Sequence, residues 1–241
     1  MAQRFYYQGH LPADFVQLKG EEMHHMVHVC RLGVGQRVTL FNGDGKEYHA
    51  VIRAIGKRQV ELTVEKTVEV SRELPLTIHL AAPLPKGDRA QFLVEKLTEM
   101  GVARYIPLLT RRSVIHPGAS RLDKLRRYVI EACKQCGRNR LMEIAEPLGL
   151  QSLLASNVEY KLLADPSGQP LAAHPWAQRD TVLAAIGPEG GFADEEIAQA
   201  RAAGWQLVAL GPTILRVETA ALAITACLAF CRDQKIFQNC S

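Results

Sequence analysis

The chain has 241 residues, 47% of them hydrophobic and 22% charged. That balance is ordinary for a globular protein and excludes a disordered chain, a collagen-like repeat and a coiled-coil rod. At roughly 150 residues per domain the length allows one large unit or two unequal ones, and it buries a sizeable core without disulfide or metal staples. The net charge of +4 is uneven: nine basic residues between Arg111 and Arg140 are opposed there only by Asp123 and Glu131. Such a run marks either a polyanion partner or a solvated helix face.

Residues 1–72 read as short strands with one helix. The helix covers Glu21 to Cys30 and ends near Gly33; strands follow at Arg37–Phe41, Glu47–Ile55 and Gln59–Val64. Val38, Leu40, Val51, Ile52, Val60, Leu62 and Val64 include the period-two alternation of half-buried strands, and Asn42-Gly43 is a hairpin signal. These features predict a small β-barrel-like module, bounded near Ser71-Arg-Glu-Leu-Pro75, where the pattern changes. From Leu76 strands and helices alternate. Strands are predicted at Leu76–Ala82, Ile106–Leu109, Tyr160–Ala164, Thr181–Ile186 and Gln206–Leu210. Helices are predicted at Asp88–Met100, Ser120–Gly137, Leu150–Ala155, Asp194–Ala203 and Glu218–Arg232. Phe92, Leu93, Lys96 and Leu97 share one face of the first of these helices, which Gly101 closes. Alternation of this kind predicts a mostly parallel α/β sheet.

The longest apolar stretch, Thr219 to Cys231, is 13 residues and too short to span a bilayer. The opening Met1-Ala-Gln-Arg-Phe-Tyr-Tyr has no apolar h-region. A cytoplasmic chain with reduced thiols and no membrane partner is expected. Cys133-Lys-Gln-Cys136 is a C-x-x-C without a second pair of comparable spacing; Cys227 and Cys231 lie in an apolar helical run, and Cys30 and Cys240 stand apart. His24 and His28 are spaced i, i+4, but His25 stands where H-E-x-x-H needs glutamate. No metal is expected.

Two strand ends carry candidate chemistry, because ligands in open α/β sheets bind at the carboxyl ends of strands. Leu183-Ala-Ala-Ile-Gly187-Pro-Glu-Gly-Gly191 runs an apolar strand into three glycines, which admit a ligand close to the backbone. Leu207-Val-Ala-Leu-Gly211-Pro-Thr-Ile-Leu-Arg216-Val-Glu-Thr219 places apolar Ile214 and Leu215 in a loop before a charged helix start, where Glu218 is also favoured by helix-start electrostatics alone. Neither segment is a P-loop or a G-x-G-x-x-G dinucleotide fingerprint. That counts against kinases, NTPases and a Rossmann oxidoreductase.

Ile186-Gly-Pro-Glu-Gly-Gly-Phe192, Leu210-Gly-Pro-Thr-Ile-Leu-Arg-Val-Glu-Thr-Ala220 and Glu131-Ala-Cys-Lys-Gln-Cys-Gly-Arg-Asn-Arg140 together resemble the ribosomal RNA small subunit methyltransferase E family, of the SPOUT or α/β-knot superfamily. Glu95-Lys-x-x-Glu99-x-Gly-Val102 and Val29-x-Arg31-x-x-x-Gly35 extend the resemblance over the whole chain. It implies a PUA-like RNA-binding β-barrel at residues 1–72 and, at 73–241, a trefoil-knotted α/β domain with a mostly parallel sheet. It also implies a homodimer, S-adenosylmethionine as cofactor, and N3-methylation of a uridine in 16S rRNA of the small ribosomal subunit. Carried over by motif, the cofactor residues are Leu163, Gly187, Glu189, Gly190, Gly191, Leu210, Gly211, Ile214, Leu215, Arg216 and Thr219. Arg216 and Glu218 are the expected catalytic pair, Arg216 stabilising charge on the uracil oxygens and Glu218 or water taking the N3 proton. Arg4, Arg31, Arg37, Arg111, Arg112, Arg138 and Arg140 are the expected RNA contacts. Thr213, Ala193 and Cys30 depart from the family pattern, with Asp194 expected to stand in for the lost helix cap at Ala193. The rival reading is a non-catalytic rRNA-binding or ribosome-assembly protein on the same fold.

Overall fold

The computed structural model describes residues 3–11, 14–113 and 115–231; Arg232 and Cys240 lie outside the described residues. Two compact units are present. One comprises the residues up to Glu73 together with Ile130–Leu141, the other Leu74–Val129 and the residues from Met142 onward.

In the first unit β1 (Arg4–Tyr6), β2 (Phe15–Lys19), β3 (Arg37–Phe41), β4 (Lys46–Ile55) and β5 (Gln59–Glu69) form one sheet in the order β1-β3-β4-β5-β2. Strands β3, β4, β5 and β2 pair antiparallel, whereas β1 joins β3 parallel. The alternation fixes which face is inside. Val16 and Leu18, Val38 and Leu40, Ala50 and Ile52, and Val60, Leu62 and Val64 enter one buried cluster with Phe5. A register slip would turn every one of these side chains to solvent. Two irregularities in β4, at His49/Ala50 and Ile52/Ala54, add the bend that lets the sheet curl over this core. The result is the PUA-like β module expected. β1 and β2, three and five residues long, are too short to show a periodicity.

Between β2 and β3 the predicted single helix changes pitch. α1 (Gly20–His24) passes into a π-helical turn, His25–Val29, and Met23 and Met26 cap the core. Arg31 follows at a φ of +55°, a left-handed conformation uncommon for a residue with a side chain.

The second unit contains β6 (Thr77–Ala82), α2 (Asp88–Glu99), β7 (Arg104–Leu109), α3 (Ala119–Cys136), β8 (Glu143–Ile144), β9 (Leu148–Gly149), α4 (Leu150–Leu154), β10 (Tyr160–Pro170), β11 (Thr181–Ile186), α5 (Asp194–Ala202), β12 (Gln206–Ala209) and α6 (Val217–Phe230). The end of α3, from Ile130, belongs to the first unit. The strand order is β12-β10-β11-β6-β7-β8, with β9 also on β7, and every pair is parallel. Because β12 returns beside β10 rather than β11, the carboxyl ends of β10, β11 and β12 lie together. Ala81, Leu163, Leu183, Ala185 and Leu207 pack against Leu150, Leu153, Leu154 and Ala200 of α4 and α5. α6 packs on β6, β11 and α2, so helices cover both faces.

Two details differ from expectation. α2 buries Leu93, Val94 and Leu97 but leaves Phe92 46% exposed, a face turned by about a residue from the one predicted. Strand β10 does not stop at Ala164: its register with β12 breaks between Ala164 and Gln169 and then resumes. Asp165–Gly168 is looped out, with Ser167 N–H and Oγ donating to Asp165 Oδ1 at 2.9 and 2.6 Å, the local bonding that gives such residues their turn preference.

Candidate active site

A cavity of about 280 Å³ opens at the clustered strand ends. Ala164, Asp165 and Pro166 line it from β10, Ile186 through Phe192 from β11, and Val208, Leu210, Gly211, Thr213, Ile214 and Leu215 from β12; Ala220 of α6 completes it. The glycine-rich wall is a tight turn in which Gly191 N–H donates to Pro188 O at 2.8 Å, with Gly191 at a φ of +68°. A Cβ at Gly187 would come within 3.1 Å of the Phe192 ring, so this strand end is folded back on its own aromatic side chain. In the opposite wall Gly211 has a φ of +127°, and the chain beyond it presents Ile214 at 90% exposure. The isoleucine side chain leaves apolar surface at the cavity rim open to contact.

The expected residues Gly187, Glu189, Gly190, Gly191, Leu210, Gly211, Ile214 and Leu215 line the cavity together. Three others do not. Leu163 is fully buried in the α4/α5 cluster, one residue short of the wall. Arg216 is the exposed N-cap residue of α6, and Thr219 is exposed on the first helical turn. Asp165, Pro166, Phe192, Val208 and Ala220 line it without having been read from sequence; the turn-rich Asp165-Pro-Ser-Gly168 after a strand was the available signal. The cavity is mostly aliphatic and main-chain, with Asp165 and Glu189 as the acidic side chains among its lining. That composition suits a small ligand with apolar rings and positive charge. Glu218 does not line it. Its side chain is buried, Oε1 takes a hydrogen bond from Arg89 Nη1 at 3.4 Å, and Oε2 has no hydrogen-bond partner among the described residues. At the Ala193 N-cap Glu196 Oε2 accepts from Ala193 N–H at 2.8 Å, and among the described residues no side chain caps this helix start, Asp194 included.

The basic residues separate into two kinds. Arg31, Arg37, Arg111, Arg112 and Arg140 are exposed. Arg4 and Arg138 are not, which corrects the expectation that they belong to an RNA-facing surface. Arg138 is 3% exposed and its guanidinium meets both Glu73 oxygens, Nε at 3.1 Å and Nη2 at 2.5 Å. Arg4 donates to Glu47 Oε1 at 2.7 Å and to Asn139 Oδ1 at 2.6 Å. Arg72 reaches the same Glu47 oxygen at 2.7 Å, and Asn139 Nδ2 donates to Val70 O at 2.9 Å. Burial raises the Glu47 carboxyl, but the hydrogen bonds and charges of Arg72 and Arg4 together outweigh it and hold the group below its ordinary value. Lys134 of the basic helix is likewise spent, on Glu22 at 2.8 Å and Glu131 at 3.0 Å. Cys133 is buried beside Cys136, and their hydrogen bond followed by burial pushes its thiol well up, the opposite of a reactive thiolate.

The family model described as an RNA methyltransferase domain matches residues 72–229, and one described as an RNA methyltransferase PUA domain matches residues 18–65. Strand order, cavity and these matches define an RNA methyltransferase of the α/β-knot class. Curated relatives include ribosomal RNA small subunit methyltransferase E of Bacillus subtilis, 28% identical over 90% of this chain and 91% of the relative. The protein of the same description from Synechocystis is 32% identical over 85% of this chain and 69% of the relative. Among solved structures, ribosomal RNA small subunit methyltransferase E from Neisseria gonorrhoeae bound to S-adenosylmethionine superposes with a TM-score of 0.87 at 31% identity, covering 95% of this chain and 97% of that one. A Legionella pneumophila methyltransferase in complex with the same cofactor gives 0.89 at 36% identity, with the same coverage. The chain belongs to the ribosomal RNA small subunit methyltransferase E family.

Proposed function

We propose that this protein is an S-adenosylmethionine-dependent methyltransferase acting on N3 of a uridine in 16S rRNA of the small ribosomal subunit, as a cytoplasmic homodimer. On this reading residues 1–72 bind RNA and residues 73–241 carry the chemistry. The observation that carries it is the cavity at the ends of β10, β11 and β12: its aliphatic walls, exposed Ile214 and acidic Asp165 and Glu189 fit a cofactor with an adenine ring and a cationic sulfur. Gly187–Gly191 and Leu210–Leu215 would hold the cofactor, and bound there it supplies an electrophilic methyl group.

The remaining work falls to the chain. Uracil N3 lies on the Watson–Crick edge, so the base must be unpaired or flipped out to reach the cavity. N3 is also protonated and weakly acidic, so the site must stabilise the anion that forms as the proton leaves. Arg216 is the cation nearest in sequence to the wall, and the reading assigns it to the uracil carbonyl oxygens. The engagement of Glu218 with Arg89 supports water rather than Glu218 as the proton acceptor. Phe92 on α2 and Phe230 on α6 are 46% and 52% exposed, large apolar side chains on two helices packed together that support the homodimer. Phe230→Glu then converts a dimer to a monomer in light scattering.

The decisive experiment is methyl transfer to naked 16S rRNA, 30S particles and 70S ribosomes with mass mapping of the product. A methyl group on uridine N3 is expected, and cofactor binding without any transfer overturns the activity. Arg216→Ala should lower kcat about 100-fold or more while calorimetry finds cofactor affinity intact. Turnover near wild type removes Arg216 from the mechanism. Calorimetry also separates the rival, since a non-catalytic RNA binder on this fold takes up no S-adenosylmethionine.

A further inference from the structure

We infer that Arg112 is a positioning residue of the cofactor cavity: its guanidinium pins the exposed glycine turn that forms one cavity wall, and its charge is committed there rather than to an RNA phosphate. The inference rests on the reading of the cavity as the S-adenosylmethionine site. By sequence Arg112 belongs to the basic run, and it follows β7 in a surface loop. Its contacts are nonetheless directed at the cavity wall. Nη1 donates to the carbonyl oxygen of Gly190, and a Cβ on Gly190 would lie 3.1 Å from the arginine Cδ. The stem therefore lies flat on the turn, in the space a side chain at 190 would occupy.

The loop holding Arg112 is itself braced. Thr110 N–H donates to Ser113 Oγ at 2.8 Å, Ser113 N–H returns a bond to Thr110 O at 3.1 Å, and Arg112 N–H donates to Thr110 Oγ1 at 3.3 Å. A second bridge spans the same two segments. The buried carboxylate of Glu196 accepts from Arg111 N–H at 3.2 Å through Oε1 and from Ala193 N–H at 2.8 Å through Oε2. The loop after β7 thus grips the glycine segment on both sides of Phe192.

Such a grip is needed because Glu189, Gly190 and Gly191 are consecutive exposed residues, and glycine loses more conformational freedom on ordering than any other residue. A turn left to itself would be ordered at the expense of cofactor affinity; a turn ordered beforehand gains that affinity. A hydrogen bond from a charged donor suits the task, being about twice as strong as a neutral one.

The test is calorimetric titration of S-adenosylmethionine, without RNA, into wild type, Arg112→Ala, Arg112→Lys and Arg112→Gln, alongside thermal unfolding and affinity for a 16S rRNA fragment. Arg112→Ala should bind cofactor about tenfold more weakly, with Lys recovering part of the loss, while RNA affinity and unfolding temperature stay near wild type. In turnover the loss should appear in the KM for cofactor, with kcat recovered at saturation. Unchanged cofactor affinity together with weakened RNA binding overturns the inference and returns Arg112 to the RNA surface. So does a fall in kcat that saturating cofactor does not restore. If the alanine variant fails to fold, Lys and Gln carry the comparison, since both keep a donor and most of the stem. A wild-type protein that does not bind S-adenosylmethionine defeats the reading of the cavity itself, which is a separate result.

Discussion

The cavity of the second unit and the polar centre of the first unit use backbone and charge in opposite ways. In the cavity the walls are main chain and aliphatic carbon, and Ile214 stands 90% exposed; the surface is left incomplete. Around Glu47 the reverse holds. Side chains of Arg4, Arg72 and Asn139 converge on one carboxylate oxygen at 2.7, 2.7 and 3.4 Å. The Glu47 carboxylate is supplied with its partners internally, as a buried ionic group requires, and Arg4 Nε is left without a hydrogen-bond partner among the described residues. The lesson is that a count of arginines along the sequence overstates the surface charge open to solvent, whereas the glycines at two strand ends mark where the cavity lies.

The largest effect should come from pressing on the cavity at its most crowded backbone crossing. A Cβ at Gly168 would fall 2.5 Å from both Leu207 C and Val208 N of β12, and main chain cannot move aside as a flexible side chain can. Gly168→Ala is expected to cost about 3 kcal/mol or more and to abolish cofactor binding, read by denaturant unfolding and calorimetry. Gly149→Ala, with nothing within 4 Å of the added carbon, is the control and should bind normally.

The polar centre breaks differently. Glu47→Ala strands the largely buried Arg4 guanidinium and takes a partner from the exposed Arg72, and should destabilise the first unit by about 3 kcal/mol in chemical denaturation. Glu47 also predicts a pH dependence. Its folded carboxyl is held below the ordinary 4.5, so the unfolded chain binds the proton more readily. Stability from this group is complete above 4.5 and is lost as the pH falls from there towards the lower folded value. Glu47→Gln should flatten the acid limb of the stability curve over that window. An unchanged limb would assign acid sensitivity to other carboxylates.

How much of this was legible beforehand follows the same division. The strand-helix alternation, Thr181–Ile186 to the residue, and both glycine loops were readable, because apolar periodicity and glycine each report a local requirement. The looped-out Asp165–Gly168 was not, since nothing local says that β10 resumes pairing after four residues. The π-turn at His25–Val29 was missed because its side-chain spacing over five residues is hardly distinguishable from that of an α-helix. The burial of Arg4 and Arg138 was illegible for a different reason: their partners Glu47, Glu73 and Asn139 are distant in sequence, and a buried ion pair has no one-dimensional signature. Leu163 stands one residue before the cavity wall, and neighbouring side chains of a strand face opposite sides, so its side chain enters the core.

A smaller effect tests whether the cavity's incompleteness is functional. Ile214→Ala should leave unfolding unchanged, since a side chain this exposed adds little to the core, yet weaken S-adenosylmethionine about tenfold if the ligand covers it. Equal loss of stability and affinity would mean that the isoleucine packs within the free protein.

The smallest expected effect distinguishes the two kinds of arginine. Arg37 is 77% exposed at its side chain and pairs with Glu65 at 3.1 Å, a surface contact worth little to stability. If it meets a phosphate, Arg37→Ala should leave unfolding unchanged and lower the affinity for a 16S rRNA fragment alike for all sequences, while the slope of log affinity against log salt falls by about one. Arg138→Ala should do the converse, destabilising the first unit and leaving the salt slope of the surviving folded protein unaltered. If the slope responds to Arg138 and not to Arg37, the division between structural and solvent-facing cations is wrong. The RNA path would then have to be sought along the buried network rather than at Arg37.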